Sequence, residues 1–379
     1  MSPADDGINE RPRLLVVWHG ALFPEYRKPF NLLHRSRFDV SLLVPDRWCQ
    51  ALPAGQKYIR GENEAFRTHV RRVRWPNLAV IHSYPGLRRL LHHVSPDIVL
   101  AIEEPYSLLT ARLLGWCRRR GIPFVFHTYQ DLFKHYPPPF SWAQRYVLRG
   151  AHTALAANRR AEDVLRRKRF TGPIVVYPYG VDPEQFCPSE RLRSDLTRVG
   201  YVGRFVPEKG VDLLITAVRS LPSSVRVTLV GDGPERERLA AHAESCRVSE
   251  RIDWMNAVPH GELPKVYQAL DLLVLPSRTT ARWQEQFGRV LVEAMACGVV
   301  VVGSSCGAIP EVIGDAGLVF REGDSAALTS CLARLIQSPS LRASLAKRGR
   351  ERVLSLYTHR RCAEILREVL LSALGRSTE

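Results

Sequence analysis

The sequence predicts an α/β protein with two doubly wound parallel sheets, one in each half of the chain. Short apolar segments alternate with segments of helical periodicity through both halves, which is the pattern of parallel sheets. A segment dense in proline and glycine, Tyr177–Pro188, separates the two series. The length of 379 residues also exceeds the roughly 250–300 residues at which a single core stops growing. We therefore expect an N-terminal domain over 1–180 and a C-terminal domain over 181–379.

In the N-terminal domain, strands are expected where apolar runs end in turn-forming or polar residues. One helix is predicted over Leu108–Arg120, because its apolar residues have helical spacing and Gly121 follows a basic last turn. The predicted strands are Leu14–Trp18, Asp39–Val44, Asp97–Ile102, Pro123–His127, Ala151–Ala156 and Ile174–Tyr177.

The C-terminal domain repeats the alternation and ends in helices. Its predicted strands are Val199–Val202, Val225–Val230, Ile252–Met255, Leu272–Pro276 and Val299–Gly303, and its predicted helices are Val211–Ser220, Glu235–Ser245, Leu263–Ala269 and Gly288–Cys297. From about Ala326 the pattern is helical to the end, and the last helix could return to the N-terminal domain. Two such domains are expected to face each other across a cleft, with ligands at the carboxyl ends of the strands.

Charge is distributed unevenly along the chain. The net charge is +16, of which residues 1–200 carry +13 and residues 201–379 carry +3.

The composition, with 45% hydrophobic and 24% charged residues, argues against a mostly disordered protein. The first ten residues lack an apolar run, which argues against a secretory signal peptide, and no apolar run reaches the ~20 residues of a membrane span. A cytoplasmic location is therefore expected. The eight cysteines never take C-x-x-C spacing, so no zinc ribbon or redox pair is predicted.

The first motif with chemical content is the glycine-rich turn over 200–210, between a predicted strand and a predicted helix. Glycine lets backbone N–H groups approach an anion, and Arg204 and Lys209 could both reach a diphosphate across the loop. The alternative is a surface turn with two solvated cations. The pattern is neither G-x-G-x-x-G nor a P-loop, so dinucleotide and nucleoside triphosphate sites are not indicated.

The second motif joins two carboxylates, Glu285 and Glu293, around the start of a predicted helix. Glu285 is expected in the loop before the helix and Glu293 on its second turn, with the N–H groups around Phe287 and Gly288 directed into the same space. This arrangement suits a ligand that is anionic and rich in hydroxyls. For Glu293 alone, a solvated helix face is the simpler interpretation.

Four segments in order carry a family resemblance: Gly203–Gly210 (GRFVPEKG), Val230–Pro234 (VGDGP), Asp271–Ser277 (DLLVLPS) and Glu285–Gly298 (EQFGRVLVEAMACG). Together they resemble the retaining glycosyltransferases of group 1, family 4. The resemblance implies the GT-B fold and transfer of a hexosyl unit from a nucleotide sugar, such as a UDP- or GDP-sugar, with retention of configuration. It also implies no metal and no cofactor beyond the nucleotide sugar, and no Asp-x-Asp motif occurs in the chain.

Transferred to this chain, the resemblance implies that Arg204 and Lys209 hold the donor diphosphate. Glu285 would bind sugar hydroxyls, supported by the N–H groups at Phe287 and Gly288. Cationic groups at the leaving diphosphate would stabilise the charge that develops there, which is often the largest catalytic contribution.

The remaining implied contacts are spread over both halves. Glu293 would bind the nucleotide ribose, and Gly20 would be a weak pyrophosphate contact after the first strand. His127, at the end of a predicted strand, would bind the donor sugar near the anomeric carbon, although a lone histidine is more often a core residue. The leaving phosphate itself can take the acceptor proton, so no general base is assigned.

The N-terminal half is expected to meet the acceptor. There, Ala21–Phe30 is expected to be an acceptor-side loop, and Glu103–Ser107 and His127–Phe140 resemble a subgroup from bacterial polysaccharide and cell-envelope gene clusters. The acceptor would accordingly be a glycan or a lipid-linked molecule.

Basic clusters in the N-terminal half have two interpretations. They are either solvated helix ends or, with the aromatic residues between them, a surface for anionic lipid at the inner face of the plasma membrane. The clusters are Arg71–Arg74, Arg88–Arg89, Arg118–Arg120 and Arg166–Arg169. A basic nucleic-acid-binding protein is the competing class, but no nucleic-acid motif occurs, and nucleic acid is not an expected partner. A third, weaker hypothesis is that the protein is a relative of the sugar-nucleotide epimerases.

Overall fold

The computed structural model describes residues 11–49, 56–61, 63–189 and 197–376. Residues 1–10, on which the signal-peptide expectation depends, lie outside this set. The chain divides into two compact units. The first unit contains the residues up to Ala157, Ala161–Tyr177 and those from Cys362 on, and the second contains 158–160 and Pro178–Arg361.

The first unit is built on a seven-stranded parallel sheet in the order β5-β2-β1-β6-β7-β8-β9. Its strands are β1 (Arg13–Val17), β2 (Asp39–Pro45), β5 (Arg67–Arg71), β6 (Ile98–Ala101), β7 (Phe124–Thr128), β8 (Thr153–Ala156) and β9 (Ile174–Val176). A separate antiparallel pair consists of β3 (Arg47–Trp48) and β4 (Gln56–Lys57). In β1, Val16 pairs with Leu42 of β2 and with Leu100 of β6, so this strand lies inside the sheet.

Helices cover both faces of this sheet. They are α1 (Pro24–Ser36), α2 (Leu87–Val94), α3 (Leu108–Arg118), α4 (Phe140–Gly150), α5 (Arg159–Arg167) and the last helix, α13 (His359–Ala373). Leu15 and Val17 of β1 point into one core and Leu14 and Val16 into the other, as alternation along a strand requires. The second of these cores includes Leu366 and Leu370 of α13.

The second unit has a six-stranded parallel sheet in the order β12-β11-β10-β13-β14-β15. Its strands are β10 (Thr197–Val202), β11 (Val225–Val230), β12 (Ile252–Met255), β13 (Leu272–Leu275), β14 (Val300–Ser304) and β15 (Gly317–Phe320). Its helices are α6 (Val211–Val218), α7 (Arg236–Ser245), α8 (Leu263–Gln268), α9 (Arg289–Ala296), α10 (Ile309–Ile313), α11 (Ser325–Gln337) and α12 (Pro339–Leu356). The neighbouring strands β13 and β14 are buried along their whole length, as expected when both faces of a parallel sheet are covered.

The predicted α/β class with two parallel sheets is confirmed, but two local predictions are wrong. Ala21–Phe30 is not wholly a loop, because helix α1 begins at Pro24. Proline is tolerated in a first helical turn, and buried Phe30 and Leu33 anchor the helix to the core. For the Arg71–Arg74 cluster, the interpretation as a solvated helix end is wrong, because Arg71 closes the edge strand β5. Among the described residues, no helix is both long and apolar enough to cross a membrane.

Candidate functional site

In the second unit, the turn after β10 and the loop after β13 bring together Lys209 and Glu285. The Lys209 ammonium lies 2.6 Å from Oε2 of Glu285, although 76 residues separate them. Both residues follow parallel strands of one sheet, and the carboxyl ends of such strands form the binding edge. The two residues that the glycine turn and the paired-carboxylate motif singled out therefore meet at one point.

Glu285 is held from several directions. Its carboxylate also accepts a hydrogen bond from Ser277 Oγ at 3.0 Å, and its backbone carbonyl accepts one from the Ala308 N–H at 2.8 Å. Gly307 has φ +55°, and a Cβ there would clash with the backbone of Glu285. No pattern in the sequence indicated a role for Gly307, whereas Ser277 ends one of the family segments. Glu285 is only 8% exposed, so its position is fixed by the loop.

The turn that carries Lys209 is shaped by Gly210, which has φ +65° and would clash with the Pro276 carbonyl if it carried a Cβ. Lys209 occupies the last position of a short 3-10 helix, Pro207–Lys209. Its ammonium also lies 4.9 Å from the centre of the Trp283 ring, a cation–π distance. The carboxylate of Glu285 and the ring of Trp283 thus hold the Lys209 ammonium group in a defined position.

Arg204 lies in the same turn but stands apart from this pair. Its side chain is exposed, and it forms no ion pair with another residue in the described part of the chain. Its backbone carbonyl accepts a hydrogen bond from the Tyr201 hydroxyl at 2.8 Å, which fixes the chain while the guanidinium remains accessible.

Glu293 lies on the second turn of α9, as predicted, but it does not belong to a solvated face. It is 3% exposed, and the simpler interpretation of this residue is wrong. Its oxygens accept hydrogen bonds from the Tyr267 hydroxyl at 2.7 Å, His260 Nε2 at 3.2 Å and Arg289 Nε at 3.3 Å. Burial alone would raise the pKa of Glu293, but the hydrogen bond from His260 and the charge of Arg289 outweigh it and lower the pKa. Glu293 is thus held as a carboxylate.

Phe287 and Gly288 immediately precede α9. Gly288 caps the helix with φ +82°, and Phe287 is buried between the rings of Tyr179 and Tyr357, with centroid distances of 5.4 and 5.6 Å. Among the hydrogen bonds of the described residues, none uses the N–H of Phe287 or Gly288. Both residues lie at the N-terminus of α9, where anions are favoured.

His127 and Gly20, the other two predicted site residues, belong to the first unit. His127 lies in β7 and is 2% exposed. Neither ring nitrogen makes a hydrogen bond of ordinary geometry within the described residues. Burial lowers the pKa of His127 to about 3, only partly offset by the Tyr177 backbone, so the ring is neutral. Gly20 is half-buried in the turn after β1.

A second cluster, which the sequence did not reveal, lies at the carboxyl ends of β1 and β6 in the first unit. Glu103 is 2% exposed, and its oxygens lie 2.7 and 2.8 Å from Nδ1 of His19 and 3.7 Å from Nε2 of His82. Burial would raise the pKa of Glu103, but the two histidines lower it to about 2. In the sequence, Glu103 belongs only to a segment that carries a family resemblance, and nothing in the spacing of the three residues indicates that they meet.

The neighbouring Glu104 behaves in the opposite way. Burial raises its pKa to about 7, even though its carboxylate accepts hydrogen bonds from Thr128 Oγ1 at 2.6 Å and the Tyr129 N–H at 2.8 Å. Two adjacent carboxyl groups therefore have widely separated pKa values because only Glu103 faces histidines.

Comparison with known protein families gives a match in each half of the chain. Residues 183–352 match the model described as "Glycosyl transferases group 1", and residues 30–180 match the "Glycosyl transferase 4-like domain". The first match contains Arg204, Lys209, Glu285 and Glu293, and the second contains His127.

Two curated proteins illustrate the similarity in sequence. The chain is 33% identical over 282 residues to 2-deoxystreptamine N-acetyl-D-glucosaminyltransferase of Streptomyces fradiae, covering 66% of this chain and 64% of that protein. It is 32% identical to the GDP-mannose-dependent alpha-(1-6)-phosphatidylinositol monomannoside mannosyltransferase of Mycolicibacterium smegmatis, over 51% of this chain and 55% of that one. The matched region spans less than two thirds of either relative.

Among solved structures, Anabaena HepE in complex with UDP superimposes with a TM-score of 0.74. The superposition covers 95% of this chain and 100% of HepE at 19% identity. A likeness at this identity indicates a shared fold. It agrees with the GT-B class that the sequence resemblance implied, and that prediction is confirmed.

Proposed function

Since the chain belongs to the group 1 glycosyl transferases, we propose that it moves a hexosyl unit from a nucleotide sugar to a glycan or a lipid-linked acceptor, with retention of configuration. The observation that carries this proposal is the Lys209–Glu285 pair at the carboxyl edge of the second sheet. It joins a cation suited to a diphosphate with a carboxylate suited to sugar hydroxyls.

In this proposal, Lys209 and the exposed Arg204 bind the donor diphosphate. When the bond between the anomeric carbon and the diphosphate oxygen breaks, negative charge accumulates on the leaving group, and two fixed cations stabilise it. These cations would supply the charge that a metal ion provides in other enzymes, so the donor site is proposed to be independent of metal.

Glu285 is proposed to accept hydrogen bonds from hydroxyls of the donor sugar. Its carboxylate is already oriented by Lys209 and Ser277, so little reorganisation is required when the sugar binds. The N–H groups of Phe287 and Gly288, at the start of α9, would donate to the same ligand.

Three further contacts are proposed from the resemblance. Glu293, held ionised by its neighbours, would accept hydrogen bonds from the ribose hydroxyls, displacing part of its present network. Gly20 would allow close approach of the pyrophosphate. The neutral imidazole of His127 would exchange hydrogen bonds with the donor sugar and carry no charge.

The donor base is proposed to be uracil or guanine. The mannosyltransferase relative is GDP-mannose-dependent by its name, and HepE was solved with UDP. These two nucleotides are therefore the first probes.

A direct test is a hydrolysis and thermal-shift screen of the purified full chain against UDP-, GDP-, ADP- and dTDP-sugars. We expect one nucleoside diphosphate to raise the melting temperature and its sugar to be slowly hydrolysed, whereas DNA and RNA have no effect. Stabilisation by nucleic acid alone would favour the competing class, a basic nucleic-acid-binding protein.

We also propose that the first unit associates peripherally with anionic lipid at the inner face of the plasma membrane. On α4, Trp142 is 60% exposed and Tyr146 38% exposed, and both share an exposed face with Arg145 and Arg149. Residues three, four and seven apart lie on one side of a helix. An aromatic and basic face of this kind suits a membrane interface.

A further inference from the structure

The cluster of His19, His82 and Glu103 lies outside the proposed donor site, entirely within the first unit. One ligand atom from each residue lies within 4.8 Å of the others. The ring of Trp48 packs against both imidazoles, 4.3 Å from His19 and 5.0 Å from His82 between centroids. The three side chains are thus held in a fixed group by a shared aromatic neighbour.

The hydrogen bonds of His82 determine which of its nitrogens is available. Nδ1 lies 2.9 Å from the Ala79 carbonyl oxygen, an acceptor, so Nδ1 carries the proton. In the neutral ring, Nε2 then presents a lone pair. His82 is fully buried, and its Nε2 has no hydrogen-bond partner among the described residues. In this neutral form the lone pair faces a Glu103 oxygen at 3.7 Å, so two acceptors are opposed in a buried space, and either a proton on Nε2 or a metal cation satisfies both.

We propose that His19, His82 and Glu103 bind a divalent transition metal ion, with Zn²⁺ as the best fit. Two imidazoles and one carboxylate are a ligand set that Zn²⁺ takes in proteins, with bonds of about 2.0–2.2 Å. Tetrahedral ligands at that distance are about 3.4 Å apart, close to the 3.7 Å between His82 and Glu103. The shorter distance between His19 Nδ1 and the Glu103 carboxylate, 2.7 Å, would lengthen by less than about 1 Å when the metal replaces the His19 proton.

Groups around the cluster support the same assignment. Metal-binding histidines commonly donate their second ring N–H to a backbone carbonyl, as His82 does to Ala79, and metal-binding carboxylates are themselves hydrogen-bonded. The His19 backbone N–H donates to Glu103 at 2.8 Å. The His19 side chain is 23% exposed, so an ion can enter from that side and keep an open position for water or a hydroxyl.

The test is zinc binding by the full chain after treatment with EDTA, measured by calorimetry and elemental analysis with the cysteines kept reduced. We expect one tight Zn²⁺ per chain. His82→Gln and Glu103→Gln should weaken binding at least about 10-fold, the lower end of effects seen even for supporting residues. His69→Gln, which removes a histidine of β5 outside the cluster, is the matched control and should bind as the unchanged protein does.

Co²⁺ provides a second measurement that separates this cluster from the cysteines. Visible d–d bands without a sulfur charge-transfer band are expected, and they should disappear in the His82→Gln variant. If that variant does not fold, His19→Gln replaces it, since His19 lies at the accessible side of the cluster. Failure of the unchanged protein to bind Zn²⁺, or equal binding by the cluster variants and the His69→Gln control, overturns the proposal. Donor hydrolysis is a separate readout, so this result leaves the proposed transferase function untouched.

Discussion

The carboxyl ends of the two sheets differ in how their ionisable groups are arranged. In the second unit, Lys209, Glu285 and Glu293 are each paired with an oppositely charged or hydrogen-bonding neighbour. In the first unit, His127 is buried without a partner of ordinary geometry, and Glu104 is buried with a raised pKa. Glu293 keeps its charge because it faces hydrogen-bond donors and a cation, whereas burial without an opposite charge in contact favours the neutral forms of Glu104 and His127. Protonation of Glu104 and His127 therefore makes the stability of the first unit depend on pH.

The largest effect is expected at the paired cation of the second unit. Lys209→Ala should lower the rate of transfer by up to about 10³-fold, because one oriented charge at a developing anion is worth about that much. Initial rates with the donor found in the screen provide the measurement, and the exposed Lys265→Ala is the control. A wild-type rate of transfer in Lys209→Ala would contradict the assignment of Lys209 to the donor site. An unchanged melting temperature of each variant would show that its fold is intact.

The next effect concerns Glu104, whose native pKa of about 7 exceeds the 4.5 of the free group. Between these pH values the native state binds more protons than the unfolded state, so stability is present at low pH and is lost as pH rises through 7. The full difference is about 3 kcal/mol, at about 1.4 kcal/mol per pKa unit.

Glu104→Gln should remove this decline. Chemical unfolding across that pH range measures it, with the exposed Asp163→Asn as the control. A variant whose stability falls with pH as steeply as that of the unchanged protein would contradict the assignment.

An effect of opposite sign is expected at His127, and over the first pH unit of acidification it is smaller than the full change at Glu104. Its native pKa of about 3 lies below the 6.5 of a free histidine, so stability is present above 6.5 and is lost as pH falls, when only the unfolded state takes up the proton. The loss is about 1.4 kcal/mol over the first pH unit. Unfolding of His127→Gln should lack this part of the acid sensitivity, with the exposed His93→Gln as the comparison. Equal acid sensitivity in both variants would indicate that His127 is not held neutral.

The smallest effect tests the surface of the first unit. Arg149→Ala on α4 should weaken binding to vesicles containing anionic lipid about 5-fold, corresponding to about 1 kcal/mol per basic residue near such a surface. Co-sedimentation at low salt measures it, and the exposed Arg219→Ala in the second unit is the control. No binding of the unchanged protein to these vesicles would remove the membrane proposal.

Most of the fold could be predicted because apolar strands alternate visibly with helices. The donor-site candidates could be predicted for a related reason: Arg204 with Lys209, and Glu285 with Glu293, each lie in one short motif whose position after a strand fixes where it points. Helix α1 was missed because its prolines favoured a loop. The burial of Glu293 was missed because its partners His260 and Tyr267 come from another segment.

The cluster around Glu103 could not be predicted at all. His19 and Glu103 are 84 residues apart, and each is an ordinary residue in its own segment. They meet only because β1 and β6 are neighbours in the sheet. A single sequence does not specify that pairing, so sites assembled from isolated residues become visible only in the folded chain.

The last helix also has a consequence for synthesis. Leu366 and Leu370 of α13 complete one core of the first unit, yet the whole of the second unit is translated before them. During translation, one face of the first sheet therefore lacks helix α13 until the second unit has been synthesised. Domains usually fold in the order in which they are made. Here the earlier unit is finished last, so it is the one more exposed to chaperones and proteases during translation.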